Sequence, residues 1–187
     1  MANDADQIVV GSNGSISVAP KGTTPPEDLE ALTADFTNLG LVTPDGAAFS
    51  DSKTLENIGA WQAFGPVRRV VTEKDTQLTF GLRQWNKDTV PLAFGGGDVT
   101  EPETGVYRYS PAAAEELDER CMVLDWQDKT FKYRLVIVEG MVTEGVETNL
   151  VRTGAADLPI TFGANYQADD DTWYLITDDP AFEPDAS

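Results

Sequence analysis

The sequence predicts a mainly β (α+β) fold, an antiparallel β-sandwich or partly open barrel of about eight to ten strands with one short flanking α-helix. Period-two alternation of apolar and polar residues recurs along the chain. Turn-forming Gly, Pro, Asn and Asp separate the alternating runs, and one longer stretch changes to helical spacing. The clearest passage is WQAFGPVRRVVTEKDTQLTFGLRQWNKDTVPLAFGGG, from Trp61 to Gly97. Within Thr76 to Gln84, Leu78, Phe80 and Leu82 fall on one face and Gln77, Thr79 and Arg83 on the other, as in a half-buried antiparallel strand. From Asn86 to Phe94 the apolar Val90, Leu92, Ala93 and Phe94 gather on one side of a helix that Pro91 shortens or kinks and Gly95, Gly96 and Gly97 end.

Ile8 to Val10 and Ser15 to Ala19 flank Gly11-Ser12-Asn13-Gly14, which predicts an opening hairpin. After a breaker-rich link, Pro25, Pro26, Glu27 and Asp28 suit the first turn of a brief helix through Leu32, with acids at the positive end of its dipole. A strand over Phe36 to Val42 leads to a turn at Thr43-Pro44-Asp45-Gly46. In the excursion from Ala47 to Gly65, Phe49, Leu55, Ile58, Trp61 and Phe64 alternate with Asp51, Lys53, Glu56 and Asn57, so the segment either folds back onto the core or reaches a neighbour. Beyond the helix, Val106 to Ser110 reads as a short strand and Pro111 opens a helical turn through Glu116. Cys121 to Asp125 and Phe131 to Val138 form a hairpin across Gln127-Asp128-Lys129, the second strand alternating through Phe131, Tyr133, Leu135 and Ile137. Met141 to Leu150 alternates with neither face wholly apolar, and Leu158 to Tyr166 with Thr172 to Thr177 makes a last hairpin. No repeat or low-complexity linker interrupts the 187 residues, which predicts a single domain over 1–187 that buries roughly 70% of its unfolded surface.

Composition narrows the chemistry. Cys121 is the sole cysteine, in the apolar run Cys121-Met122-Val123-Leu124, so it reads as a small buried hydrophobe; no intrachain disulfide or cysteine cage for zinc can form. The chain has no histidine, which removes Ser-His-Asp and Cys-His catalysis and His-ligated metals. MANDADQ is acidic and lacks an apolar core, unlike a signal or transit peptide, and no run approaches the roughly 18 apolar residues of a membrane helix. The expectation is a soluble chain made in the cytoplasm with no membrane partner.

The formal charge is −19, from 32 acids and 13 bases, against direct capture of nucleic acid. Met1 to Phe64 holds nine acids and two bases, Gly65 to Arg152 fifteen and eleven, and Thr153 to Ser187 eight and none. The tail acids Asp169, Asp170, Asp171, Asp178, Asp179, Glu183 and Asp185 lack the spacing of a calcium loop, so a solvated acidic end is expected, with no metal and no cofactor. Acidic neighbours also leave a carboxylate-pair hydrolase conceivable, but no catalytic residue is assigned. A carbohydrate-binding β-sandwich would use Trp61, Trp85, Trp126 and Trp173 as stacking platforms; their dispersion, and the strand positions of Trp126 and Trp173, favour packing. Strands polar on both faces suit a sheet shared between subunits around a wet channel.

The opening GSNGSISVAPKGTTPP, then DFTNLGLVTPDG, VRRVVTEKDTQLTFGLRQWNKDTVPLAFGGG and LPITFGANYQADDDTWYLITDDP together resemble the major tail protein, or tail tube protein, of siphophages of actinobacteria. The resemblance implies a non-enzymatic virion protein of tail-tube-like fold. It implies assembly in the host bacterial cytoplasm into stacked hexameric rings, forming a hollow tube around a tape measure protein. A tail terminator and tail tip proteins would be further partners, and DNA would pass through without specific binding. It also implies a β-barrel lumen built from strands within Gly65 to Gln84 and Met141 to Thr153, the helix Asn86 to Phe94 outside, and ring-joining parts at Met1 to Pro20, Ala47 to Gly65 and Asp169 to Ser187. Ile8, Val10, Phe49, Leu55, Ile58, Trp61 and Phe64 are then candidate interface residues, and Glu73, Asp75, Glu144 and Glu147 candidate lumen charges. Six copies would carry about six times −19, which would repel phosphate within roughly 8 Å of the wall. Arg68, Arg69, Arg83 and Arg134 sit among these strands, either as solvated strand-face charges or as partners for a neighbour's acids. Another virion β-protein, for decoration or head completion, is the alternative within this class.

Overall fold

Ten strands, one short α-helix and a 3-10 turn at Pro180–Phe182 appear in the computed structural model, which describes residues 7–113, 115–168 and 171–184. β1 (Ser12–Pro20), β2 (Thr37–Asn38), β3 (Val42–Gly59) and β4 (Pro66–Leu82) precede α1 (Thr89–Ala93). β5 (Gly97–Glu103), β6 (Val106–Pro111), β7 (Arg120–Asp128), β8 (Phe131–Val142), β9 (Leu158–Ala164) and β10 (Trp173–Thr177) follow. All pairings are antiparallel. The main sheet runs β2-β1-β7-β8-β9-β4-β3, β10 pairs with β8, and β5 and β6 form a separate ribbon.

β8 turns this sheet back on itself. Its first half pairs with β10 from Tyr133 to Ile137, and its end pairs with β9 from Gly140 to Val142. At the switch a side chain on Gly140 would collide with the Gly163 carbonyl and the Phe162 ring, so only glycine allows the strands to approach. One layer therefore holds β1, β7, β10 and most of β8, the other β9, β4 and β3. Between them lies the core of Ile16, Val18, Met122, Leu135 and Ile137 against Leu78, Phe80, Leu82, Leu158, Ile160 and Phe162. The predicted sandwich is present, and no closed barrel forms because the sheet ends at β2 and β3, and β3 pairs with neither β2 nor the first half of β1.

The helix is shorter than the spacing predicts. Asn86 Oδ1 accepts from the amides of Asp88 and Thr89, both at 2.9 Å, and holds the first turn. Pro91 is tolerated as the third helical residue, where its missing N–H has no intrahelical partner. Gly95, Gly96 and Gly97 take φ of 78°, 104° and 113° and end the helix in conformations closed to other residues. Leu92 and Ala93 are buried against the core.

Several expectations are corrected. Ile8 to Val10 is no strand, so there is no opening hairpin; Gly11-Ser12-Asn13-Gly14 instead enters β1, whose register shifts between Ser12 and Ser15. β1 lies between β2 and β7 with Ile16, Val18 and Ala19 buried, so the part of Met1 to Pro20 from Ser12 on is core strand rather than arm. The residues before Gln7 lie outside the described ones, as do Asp169, Asp170 and Asp185 of the tail; within the arm expected over Asp169 to Ser187, Trp173–Thr177 is instead strand β10 of the main sheet. No helix forms from Pro25 to Leu32, because the carbonyls of Asp28 and Glu30 are taken by the Arg134 guanidinium at 2.9 Å each. Instead this segment covers the outer face of β7 and β8, where Leu32, Phe36 and Tyr174 pack on Cys121, Val123 and Val136. The strand expected over Phe36 to Val42 is reduced to β2, and Thr43 to Gly46 is a bulge in β3 rather than a turn between strands, since Val42 opposes Leu82 and Ala47 opposes Phe80.

Ala47 to Gly65 is not a loop: it is most of β3 and the tip of a long hairpin whose return strand, β4, starts at Pro66. Pro111 ends β6, and of the helical turn expected from Pro111 through Glu116 the described residues keep one bond, the Glu116 amide donating to the Ala113 carbonyl at 2.9 Å. The alternation of Met141 to Leu150 stops being strand at Val142, although Val146 beyond it still packs against the core. Leu158 to Ala164 makes no hairpin with Trp173 to Thr177. β9 has its edges taken by β4 and the end of β8, so β10 goes to β8.

Candidate assembly surfaces

The β3–β4 hairpin leaves the body of the subunit at Asp51 and Thr76. Thr76 is buried, and its hydroxyl donates to Asp51 Oδ1 at 2.6 Å. That bond, aided by Lys74 at 3.5 Å, holds the Asp51 carboxyl below the usual carboxylate range. Outward from this root every residue from Ser52 to Asp75 is exposed. The arm nevertheless carries Leu55, Ile58, Val67, Val70 and Val71 on its strands and Trp61 and Phe64, both fully exposed, at its tip. A two-stranded ribbon alone is marginal in water, and an apolar set of this kind on a projecting element marks a contact surface.

A second surface is the polar face of β4 and β9. From Glu73 to Leu82 the strand alternates, placing Leu78, Phe80 and Leu82 in the core and Glu73, Asp75, Gln77 and Thr79 on the opposite side. Thr161 of β9 pairs with Thr79, and its hydroxyl donates to Glu144 Oε2 at 2.8 Å. Gln77 Nε2 donates to Asp75 Oδ2 at 2.9 Å. Glu73, Asp75 and Glu144 therefore share one wet face, and Glu147 is exposed in the segment that follows.

The third surface is a groove of about 790 Å³ where β1 and β3 face each other without pairing. Its floor is Ile16, Leu124, Leu135 and Trp126, its wall Phe49, Trp173 and Leu175, and its rim Thr43 to Gly46. Phe49 meets Trp173 edge-on at 4.7 Å, and Trp126 stacks on Tyr133 at 5.3 Å. Sequence reading assigned Trp126 and Trp173 to packing and missed that they also line an opening. Alternation signals burial but not where two strand edges fail to meet.

Of the expected interface residues, Leu55, Ile58, Trp61 and Phe64 come together on the hairpin, while Ile8 and Val10 are exposed in the segment before β1. Phe49 is half-buried against its own subunit's Trp173. The arginines divide. Arg134 is buried and forks onto Asp125 at 2.7 and 3.1 Å, so it is neither a solvated strand-face charge nor a partner for a neighbour. Arg83 meets Asp157 at 3.3 Å, and Arg69 donates to Asn57 at 3.2 Å. Arg68 is exposed on the hairpin.

Trp85 is partly exposed and donates to the Ala156 carbonyl at 2.7 Å, distant in sequence from the exposed Trp61. Cys121 is buried, and burial pushes its thiol up to about 11, as expected of an inert core residue. No group of three or more acids and cysteines able to hold a metal exists among the described residues, and none of their helices is long and apolar enough to cross a membrane.

No curated protein matches the chain. A family model described as Phage tail tube protein matches residues 1–187, the whole chain. The chain belongs to the phage tail tube protein family, as a structural component of the virion tail.

Proposed function

We propose that the chain, as one domain, assembles into hexameric rings that stack into the hollow tail tube, with the β3–β4 hairpin joining one ring to the next. The observation that carries this reading is the hairpin itself: 24 consecutive exposed residues, Ser52 to Asp75, holding seven exposed apolar side chains with nothing of their own subunit to cover them. Burial of those side chains on a second copy would supply about 25 cal/mol for each Å² of apolar surface removed from water.

Glu73, Asp75 and Glu144 on the face of β4 and β9 suit the lumen wall, with Glu147 beside them. The wall is mainly carboxylates and neutral amides and hydroxyls, and its Arg83 is paired with Asp157, so little free positive charge meets DNA phosphates and the genome passes without adhering. The residues before β1, with Ile8 and Val10 exposed, and those after Thr177 extend the ring-to-ring contacts. The tape measure protein fills the tube during assembly in the host cytoplasm, and terminator and tip proteins close its ends.

Replacing Lys53–Lys74 by Asn-Gly shortens the hairpin to its root, where Ser52 already opposes Asp75. The expected product is a folded subunit, with a cooperative thermal melt, that forms no tubes. Tubes of ordinary length from this variant would contradict the role of the hairpin.

A further inference from the structure

Resting on the assembly reading above, we infer that the groove between β1 and β3 is the receptor for the hairpin tip of a second copy, with Trp61 and Phe64 seated against Trp126 and Trp173. The tip cannot occupy the groove of its own subunit. Phe49 lies in the groove wall and Gly59 at the end of the same strand, ten residues further. At roughly 3.3 Å per residue the tip stands about 33 Å from the groove. A knob and a hole so far apart on one molecule suit a head-to-tail contact, which repeats into an open stack when its rotation does not close into a ring.

Chemistry matches the two parts. The groove offers Ile16, Phe49, Leu124, Trp126, Trp173 and Leu175, and its volume of about 790 Å³ exceeds two aromatic side chains. The tip offers two aromatic side chains that bury nothing within the subunit. Charge permits the approach. Asp51 to Asp75 holds four acids and four bases, so the arm is neutral, while the rest of the chain holds 28 acids and nine bases. The arm is a projecting section without net charge, which another acidic copy does not repel, and its exposed Arg68 and Arg69 favour the groove's rim acid, Asp45.

The test joins tip to rim across copies. Ala63→Cys and Asp45→Cys replace two exposed side chains, and the buried Cys121 stays out of reach. Assembled tubes of the double variant, treated with a short bifunctional maleimide, should yield dimers, trimers and higher multiples on a denaturing gel. Either substitution alone should give no ladder, and adding Trp61→Ser and Phe64→Ser should abolish it. If the pair itself hinders assembly, co-assembled single variants should give cross-linked dimers and nothing larger. Tubes without a ladder or dimer would overturn the inference while leaving self-assembly intact. A ladder from Ile8→Cys with Asp45→Cys, and none from Ala63→Cys, would also overturn it by giving the groove to a neighbour's N-terminal segment. Failure of the wild-type chain to assemble would remove the assembly reading and this inference together.

Discussion

Arg134 joins the two coverings of β8 through four hydrogen bonds. Two go to the Asp125 carboxylate on β7, and one each to the carbonyls of Asp28 and Glu30 in the covering segment. Its side chain is 6% exposed, so removing it strands a carboxylate and two carbonyls. Arg134→Leu should cost about 2–4 kcal/mol in urea unfolding, and Arg134→Lys should restore only part, since an ammonium cannot make the planar fork. Sequence reading placed Arg134 on a strand but gave it the wrong role, because alternation cannot show that both faces of β8 are covered. Tyr133 offers a pH readout. Its hydroxyl donates to Asp179 Oδ2 at 2.6 Å, and that bond, with burial, pushes its ionisation up to about 12. The raised value means the bond contributes stability in full from neutral pH up to about 10 and loses it as pH rises through about 12. Tyrosinate absorbance should therefore show late steps near pH 12 from Tyr133 and Tyr174, and Tyr133→Phe should remove the first and keep the second.

At the scale of elements, β1 decides how much of the N-terminus is dispensable. Removing 1–11 leaves its pairing with β7 from Ser12 onward, so the subunit should remain folded. Removing 1–20 takes Ile16, Val18 and Ala19 out of the core and should cost more than roughly 5 kcal/mol, enough to unfold a typical domain by circular dichroism. A cooperative melt from the longer truncation would contradict this placement of β1. Strands that bury one face were legible: Leu78, Phe80 and Leu82 in β4, and Leu135 and Ile137 in β8. Pro66 to Asp75 was not, because a strand that packs on nothing within its subunit leaves no inward face to read. β5 was hidden for a similar reason, its Gly97-Asp98-Val99-Thr100-Glu101-Pro102 run being mostly exposed and rich in turn formers. The pairing of β10 with β8 depends on which sheet edge is free, and no periodicity encodes that.

For the whole molecule, the acidic excess and the neutral arm belong to one design. Bodies of formal charge −19 repel over about 30 Å at 0.01 M salt but only about 8 Å at 0.15 M, so contact between copies should strengthen with ionic strength. The candidate site was legible in part. The apolar excursion around Trp61 and Phe64 and the acids Glu73 and Asp75 stand out in the sequence, whereas the groove exists only because the sheet folds at Gly140 and leaves β1 and β3 apart. The most direct measurement is electron microscopy of the purified chain at high concentration and rising ionic strength. Hollow tubes of uniform diameter, appearing more readily as salt increases, are predicted. Dispersed single subunits at every concentration and salt level would contradict a tube built by this chain's own contacts.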